Sequence, residues 1–205
     1  VGTAMIAALL SAKNEENDYL YNVIGIDINS PEGNRRINSL NNGKTPFEVS
    51  DKNILSIINN ARKDKRLIAS SNNILYSEAD IIVIDVHFDL NEFDKGIENS
   101  LFLNAIRQVA NNIKEDVFFL VETTLPPGTC EEIIIPEIKN ILVNRGLNDK
   151  KFKLAHSYER VMPGPDYLDS IKNYWRVYAG MDQVSSKECK EFLGTFINVN
   201  DFPLV

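Results

Sequence analysis

Three stretches of this chain combine residue types that could do chemistry. The first is Asp27, near the end of the run Asn22-Val23-Ile24-Gly25-Ile26-Asp27-Ile28, whose β-branched residues read as a strand. A carboxylate ending such a strand can accept two hydrogen bonds from a ribose diol, and it repels a 2′-phosphate. It lies about 25 residues after Gly2, compatible with the usual ~20-residue separation in a dinucleotide fold. On that reading Gly2 is the last glycine of a phosphate-binding turn, and the turn's earlier glycines and its strand lie ahead of residue 1. The alternative is an Asp that caps the turn before Pro31. The second stretch is Glu122-Thr123-Thr124-Leu125-Pro126-Pro127-Gly128-Thr129. Two hydroxyls at a strand end, followed by a rigid turn and a helix start, would fix donors where an anion is favoured. An ordinary strand-to-helix connection with Thr129 as N-cap would read the same way. The third stretch is Ser157-Tyr158-Glu159-Arg160-Val161-Met162-Pro163-Gly164. Here Glu159 could stand beside a sugar or an activated water, or form a solvent-facing ion pair with Arg160.

Those residues need a scaffold, and the pattern supplies one. Short β-branched runs alternate with longer amphipathic stretches. Val1 to Ser11 reads as a buried helix, and Asn22 to Ile28 as a strand. Pro31 and Gly43 bracket a helix from its first turn to its C′ position. Asp51 suits the N-cap of a helix carrying Ile54, Leu55, Ile57 and Ile58. Ile81 to Val86 is apolar on both faces, as a central parallel strand should be. Leu101 to Ile113 is an amphipathic helix and Val117 to Val121 a buried strand. Thr129 opens a helix to about Arg145, stopped by Gly146 and kinked by Pro136. Phe152 to His156 and Arg176 to Ala179 read as short strands, and Ser185-Ser186-Lys187-Glu188 as the capping box of a last helix to about Asn198. The expectation is α/β: a Rossmann-like doubly wound, mostly parallel sheet with helices on both faces, forming one domain over residues 1–205. In such sheets the ligand crevice lies at the carboxyl ends of the strands, where all three stretches fall.

Composition narrows the partners. The 205 residues carry 22 basic and 29 acidic side chains, a net charge of −7, which disfavours nucleic acid and anionic membranes. The dense basic cluster Arg62-Lys63-Lys65-Arg66 reads as the solvated end of a helix, where cations suit the dipole. Two cysteines, Cys130 and Cys189, cannot build a disulfide framework and fit a reducing cytosol. His87 and His156 lack metal-ligand spacing, so no metal site is expected. No apolar run approaches the ~18–20 residues of a membrane span. A methyltransferase-type Rossmann enzyme, which also uses an acid at the second strand's end, and a non-catalytic nucleotide-binding domain stay open as alternatives.

Taken in order, the motifs resemble the UDP-glucose/GDP-mannose dehydrogenase family of nucleotide-sugar 6-dehydrogenases. Val1-Gly2 is similar to the tail of that family's G-x-G-Y-V-G loop, and Val23-Ile24-Gly25-Ile26-Asp27 to its second strand. Ile37-Asn38-Ser39-Leu40-Asn41-Asn42-Gly43 resembles the helix that follows, and Thr123–Thr129 resembles its S-T-V-P-P-G-T signature. Glu159-Arg160-Val161-Met162-Pro163-Gly164 resembles the P-E-R-V-x-P-G form of the branch acting on UDP-N-acetylhexosamines, a likeness continued by Asn173 and Arg176 through Gly180. The resemblance implies an NAD-binding domain, with Gly2, Asp27 and Thr124 toward the cofactor and Thr124 and Glu159 toward substrate or hydrolytic water. It implies oxidation of a UDP-sugar C6 alcohol to a uronate in two NAD-dependent steps, through a thioester on a cysteine of a later domain. It further implies a cytoplasmic homodimer when full length, serving polysaccharide biosynthesis. The family's nucleophile, the lysine and asparagine of its site and its dimerisation helix would all follow Val205, and neither Cys130 nor Cys189 matches the nucleophile. Tyr158 stands where the family has proline, and Val86-His87-Phe88 where it often has a Thr-Pro pair.

Overall fold

The computed structural model describes residues 2–88, 100–158, 161–162 and 164–205. Glu159, Arg160 and Pro163 of the third stretch, and Val1, lie outside them. The chain divides into two compact units. One comprises Val1–Asn72, Arg160–Arg176 and Glu191–Val205, the other Asn73–Glu159 and Val177–Lys190.

In the first unit, α1 (Gly2–Ser11) packs on α3 (Lys52–Lys63), on β1 (Val23–Ile26) and on the short helix α6 (Tyr167–Lys172). Ala4, Ala7 and Ala8 are fully buried; their small side chains let neighbouring backbones approach. Asp51 caps α3 through the Asn53 N–H (2.9 Å). Its other carboxylate oxygen accepts the Leu168 N–H of α6 at 2.8 Å, so one buried acid serves two helix N-termini. α2 (Pro31–Asn41) opens with Ser30 accepting from the Gly33 N–H and ends at Gly43, whose φ of +70° suits glycine. β2 (Leu67–Ser70) pairs in parallel with β1, Val23 opposite Leu67. The sequence reading has no strand at this position.

The second unit holds a four-stranded sheet in the order β3 (Ile81–Ile84), β4 (Phe118–Val121), β5 (Lys153–His156), β6 (Ala179–Gly180). The first three strands are parallel and β6 is antiparallel to β5. β4, central in this order, is buried at every residue. β3 is not the doubly covered strand its sequence suggests: it ends the order, and its residues alternate between half-buried and buried. α4 (Leu101–Asn112) lays Phe102, Ile106 and Val109 on the core with Phe119, Val121, Ile138 and Leu154, while Leu101 is exposed. The architecture is α/β with parallel strands and helical crossovers, as expected.

Several boundaries move. Thr129 does not cap its helix with its side chain; its hydroxyl donates instead to the Pro126 carbonyl at 2.8 Å. The first turn there, Cys130–Ile134, is a π-helix, and Pro136 falls in the opening turn of α5 (Ile135–Asn144). The missing proline N–H is harmless at that position. The last helix, α7, runs Gln183–Gly194. Its start is held by Asp182, which accepts the Ser185 N–H at 2.7 Å, so the capping residue lies three positions before the expected box. Arg176 is in no strand; it bridges to Leu204 in the first unit.

Candidate functional site

In the first unit the chain leaves β1 through Asp27, whose N–H still donates to Ser70 O of the neighbouring strand (3.1 Å). The carboxylate is already engaged. One oxygen, Oδ1, accepts the Ile28 N–H at 2.8 Å and Arg36 Nη2 at 2.9 Å; the other, Oδ2, accepts Arg36 Nε at 2.6 Å. Such a bidentate fork is the strong form of this pair. The bond to Asp27 holds the Arg36 guanidinium above its ordinary pKa. Asp27 and Arg36 keep 29% and 34% of their side-chain surface, so the pair faces solvent and can meet a ligand. A carboxylate has about four lone-pair positions; three are used, leaving one on Oδ2 for an added hydroxyl. Asp27 thus closes a local turn and retains one acceptor position.

The loop that aims Asp27 is tight. A Cβ at Gly33 would lie 2.0 Å from the Ile28 carbonyl oxygen, so only glycine lets α2 approach this turn. Sequence alone does not single out Arg36, the partner that sets the carboxylate's direction. It stands nine residues on, across a turn, and no spacing rule couples the two. Gly2 is the first residue of α1, and the first turn of that helix contains no acid. A neutral, glycine-led helix start leaves backbone N–H groups for a pyrophosphate. These residues fit a dinucleotide: α1 would take its phosphates and Asp27 its adenosine ribose.

In the second unit the carboxyl ends of β4 and β5 carry buried polar groups. Glu122 and Ser157 are each 1% exposed and Thr123 8%. The ladder closes with Glu122 N–H to Ile84 O (2.9 Å) and Ser157 N–H to Val121 O (3.0 Å). Beyond it, side chains take over. The Thr123 hydroxyl donates to Val86 O at 2.7 Å, and His156 Nε2 lies 3.0 Å from Thr123 O. Thr124, next in the chain, is exposed and its hydroxyl has no partner among the described residues. Gly128 turns the chain with φ +84°, which explains the glycine of the Pro-Pro-Gly turn. Sequence marks Glu122, here 1% exposed, only as a strand-end residue. Burial of an acid is a tertiary fact that composition does not announce.

Other expectations can be placed. Cys130 and Cys189 are free, and burial pushes the Cys130 thiol up to about 11, which suits a packing residue rather than a nucleophile. Of the basic cluster, Arg62 donates to the Asn41 carbonyl (2.7 Å) and Arg66 to the Leu10 carbonyl (3.1 Å) while stacking on Tyr19. Among the described residues no group of three His, Cys, Asp or Glu could hold a metal ion, and no helix is long and apolar enough to cross a membrane. Gly2 and Asp27 belong to the first unit and Thr124 to the second, while Glu159 lies outside the described residues.

UDP-N-acetyl-D-mannosamine dehydrogenase of Methanococcus vannielii is 27% identical over 180 residues, covering 86% of this chain and 37% of that protein. The enzyme of the same name from Methanocaldococcus jannaschii is 27% identical over 179 residues, 86% of this chain and 38% of its own length. The chain thus spans well under half of the curated relatives it matches. Among solved structures, NDP-N-acetyl-D-galactosaminuronic acid dehydrogenase from Methanosarcina mazei superposes with a TM-score of 0.81 at 22% identity, over 100% of this chain and 41% of that one. UDP-N-acetyl-D-mannosamine dehydrogenase from Pyrococcus horikoshii gives 0.77 at 21% identity, over 100% and 44%. At these identities the superpositions speak for the fold. The model of the NAD binding domain of the UDP-glucose/GDP-mannose dehydrogenase family matches residues 2–197, which sets aside the methyltransferase alternative. With a glycine-led helix, an acid at the end of β1 and a threonine turn after β4 all inside that match, the chain belongs to the UDP-glucose/GDP-mannose dehydrogenase family, as its NAD binding domain.

Proposed function

We propose that this chain is the cofactor half of a dehydrogenase that oxidises the C6 alcohol of a UDP-N-acetylhexosamine to its uronate in two NAD-dependent steps. When bound, NAD supplies the hydride acceptor. The chain's own residues bind and orient: Gly2 and the α1 start take the phosphates, Asp27 the adenosine ribose. The family resemblance would give Thr124 and Glu159 the contacts to substrate or the hydrolytic water. The names of the relatives support the sugar class. The observation that carries the reading is Thr124, an exposed hydroxyl at the end of β4 beside a threonine bonded to the neighbouring β3 connection. The chain covers 37–38% of the relatives' length, and in a protein of that length the thiolate and the remaining sugar contacts would come from the added residues. The full-length protein would act as a cytoplasmic homodimer. Free cysteines suit that compartment.

The experiment has two parts. Titration calorimetry on a full-length protein carrying this domain should detect NAD and no S-adenosylmethionine. A full-length protein carrying this domain should reduce NAD with a UDP-N-acetylhexosamine, at about two NADH per uronate formed. NAD binding without NADH from any UDP-hexose or UDP-N-acetylhexosamine would overturn the oxidation and leave a binding domain.

A further inference from the structure

The exposed hydroxyl of Thr124 is only as well aimed as the peptide that precedes it. β4 ends its ladder at Val121, and Thr123 lies beyond the last backbone bonds. A carbonyl at that position is ordinarily left to water. Here the Thr123 carbonyl meets His156 Nε2 at 3.0 Å. Oxygen has only lone pairs to offer, so the imidazole donates, and Nε2 carries its proton in either charge state of the ring. On its other side Thr123 is tied by its hydroxyl to Val86 O. The residue is therefore held from both neighbouring strand ends, β3 and β5. Because the peptide unit is planar, fixing the Thr123 oxygen also fixes the Thr124 nitrogen and Cα. His156 is the last residue of β5, in register with Val121, and Tyr158 stands near its ring at 6.0 Å between centroids. A rigid strand thus carries the donor.

We propose that His156 is a positioning residue: through its bond to the Thr123 carbonyl it holds Thr124 in the orientation the oxidation uses. The inference rests on the role given to Thr124 above. A group that touches neither substrate nor cofactor can still matter here, since a misplacement of about 1 Å at a reacting group can cost about a hundredfold in rate.

The test uses the full-length dehydrogenase and three variants. In His156→Gln the side-chain amide nitrogen reaches the position of Nε2 and keeps the bond. In His156→Asn the amide stops one atom short, at the position of Nδ1, and loses it. Both stay polar and small enough to fold. Expected are a kcat about tenfold lower for H156N, recovery of most of that loss in H156Q, and NAD and sugar KM values within about twofold throughout. A purely structural histidine would change melting temperature and leave kcat per folded molecule alone. The third variant is Thr124→Ala, alone and combined with H156N. If His156 acts through Thr124, H156N has little further effect in the T124A background. Full additivity, or an H156N kcat equal to wild type while T124A is impaired, overturns the positioning role and leaves the reading of Thr124 standing. A T124A enzyme with unchanged kcat overturns both, and identifies the Thr124 reading as the one that failed.

Discussion

Replacing Asp27 with alanine separates what this carboxylate does for the fold from what it does for the cofactor. For the fold it holds Arg36 in a fork at 2.6 and 2.9 Å. With roughly a third of each side chain in solvent, such a pair contributes at most about 1 kcal/mol. For a ribose diol it has one acceptor position left after Ile28 and Arg36 are served. A hydrogen bond to a charged acceptor is worth about 1.5–3 kcal/mol when its partner is removed, so NAD should bind about 10- to 100-fold more weakly to D27A. NADP should move the other way. The negative charge that repels a 2′-phosphate is gone, and Arg36, released from its fork and left with Glu32 at 3.4 Å, can turn to meet it. The ratio of the two dissociation constants should swing by well over about tenfold toward NADP. Asp27→Asn, which keeps an acceptor for the Ile28 N–H, should fall between. Titration calorimetry of both cofactors against a full-length protein carrying this domain, with urea unfolding alongside, reads all of these. An unchanged NAD affinity in D27A would mean that Asp27 serves only its local turn and Arg36, and the ribose assignment would fall.

Three further expectations follow from the same coordinates. Asp51→Ala strips the acceptor from two helix starts, Asn53 N–H and Leu168 N–H; urea denaturation should show a loss of about 2–4 kcal/mol, and a loss below 1 kcal/mol would contradict the double cap. Gly33→Ala forces a methyl group against the Ile28 carbonyl, so both stability and NAD affinity should fall, with calorimetry and melting measured on the same sample. The Cys130 thiol, raised by burial from 9.0 to about 11, holds its proton more tightly when folded than when unfolded. Its contribution to stability is therefore complete below pH 9 and lost as pH rises through about 11. Iodoacetamide at pH 8 should label it far more slowly in the native chain than in urea, and equal rates would refute the burial argument.

The sequence by itself determined the parts whose causes are local. Runs such as Ile81–Ile84 and Phe118–Val121 are strands because β-branched and aromatic side chains favour an extended, half-buried backbone. Asp51 caps α3 because its oxygen reaches an N–H two residues away. Gly128 and Gly43 stand where φ is positive, and the threonine turn could be read as a motif for the same reason. The tertiary structure alone decided matters that depend on distant neighbours. Leu67–Ser70, four residues behind a charged stretch, becomes a strand because Val23–Ile26 lies beside it. Asp51 gains Leu168, 117 residues on, and Asp27 finds Arg36 across a turn. Ser185 yields the cap to Asp182. For His156 the sequence offers only the lack of metal-ligand spacing, since its partner is a carbonyl 33 residues earlier that only the sheet register brings within 3.0 Å. Propensity acts over a few residues, whereas a hydrogen-bond partner far along the chain exists only once the backbone has been folded past it.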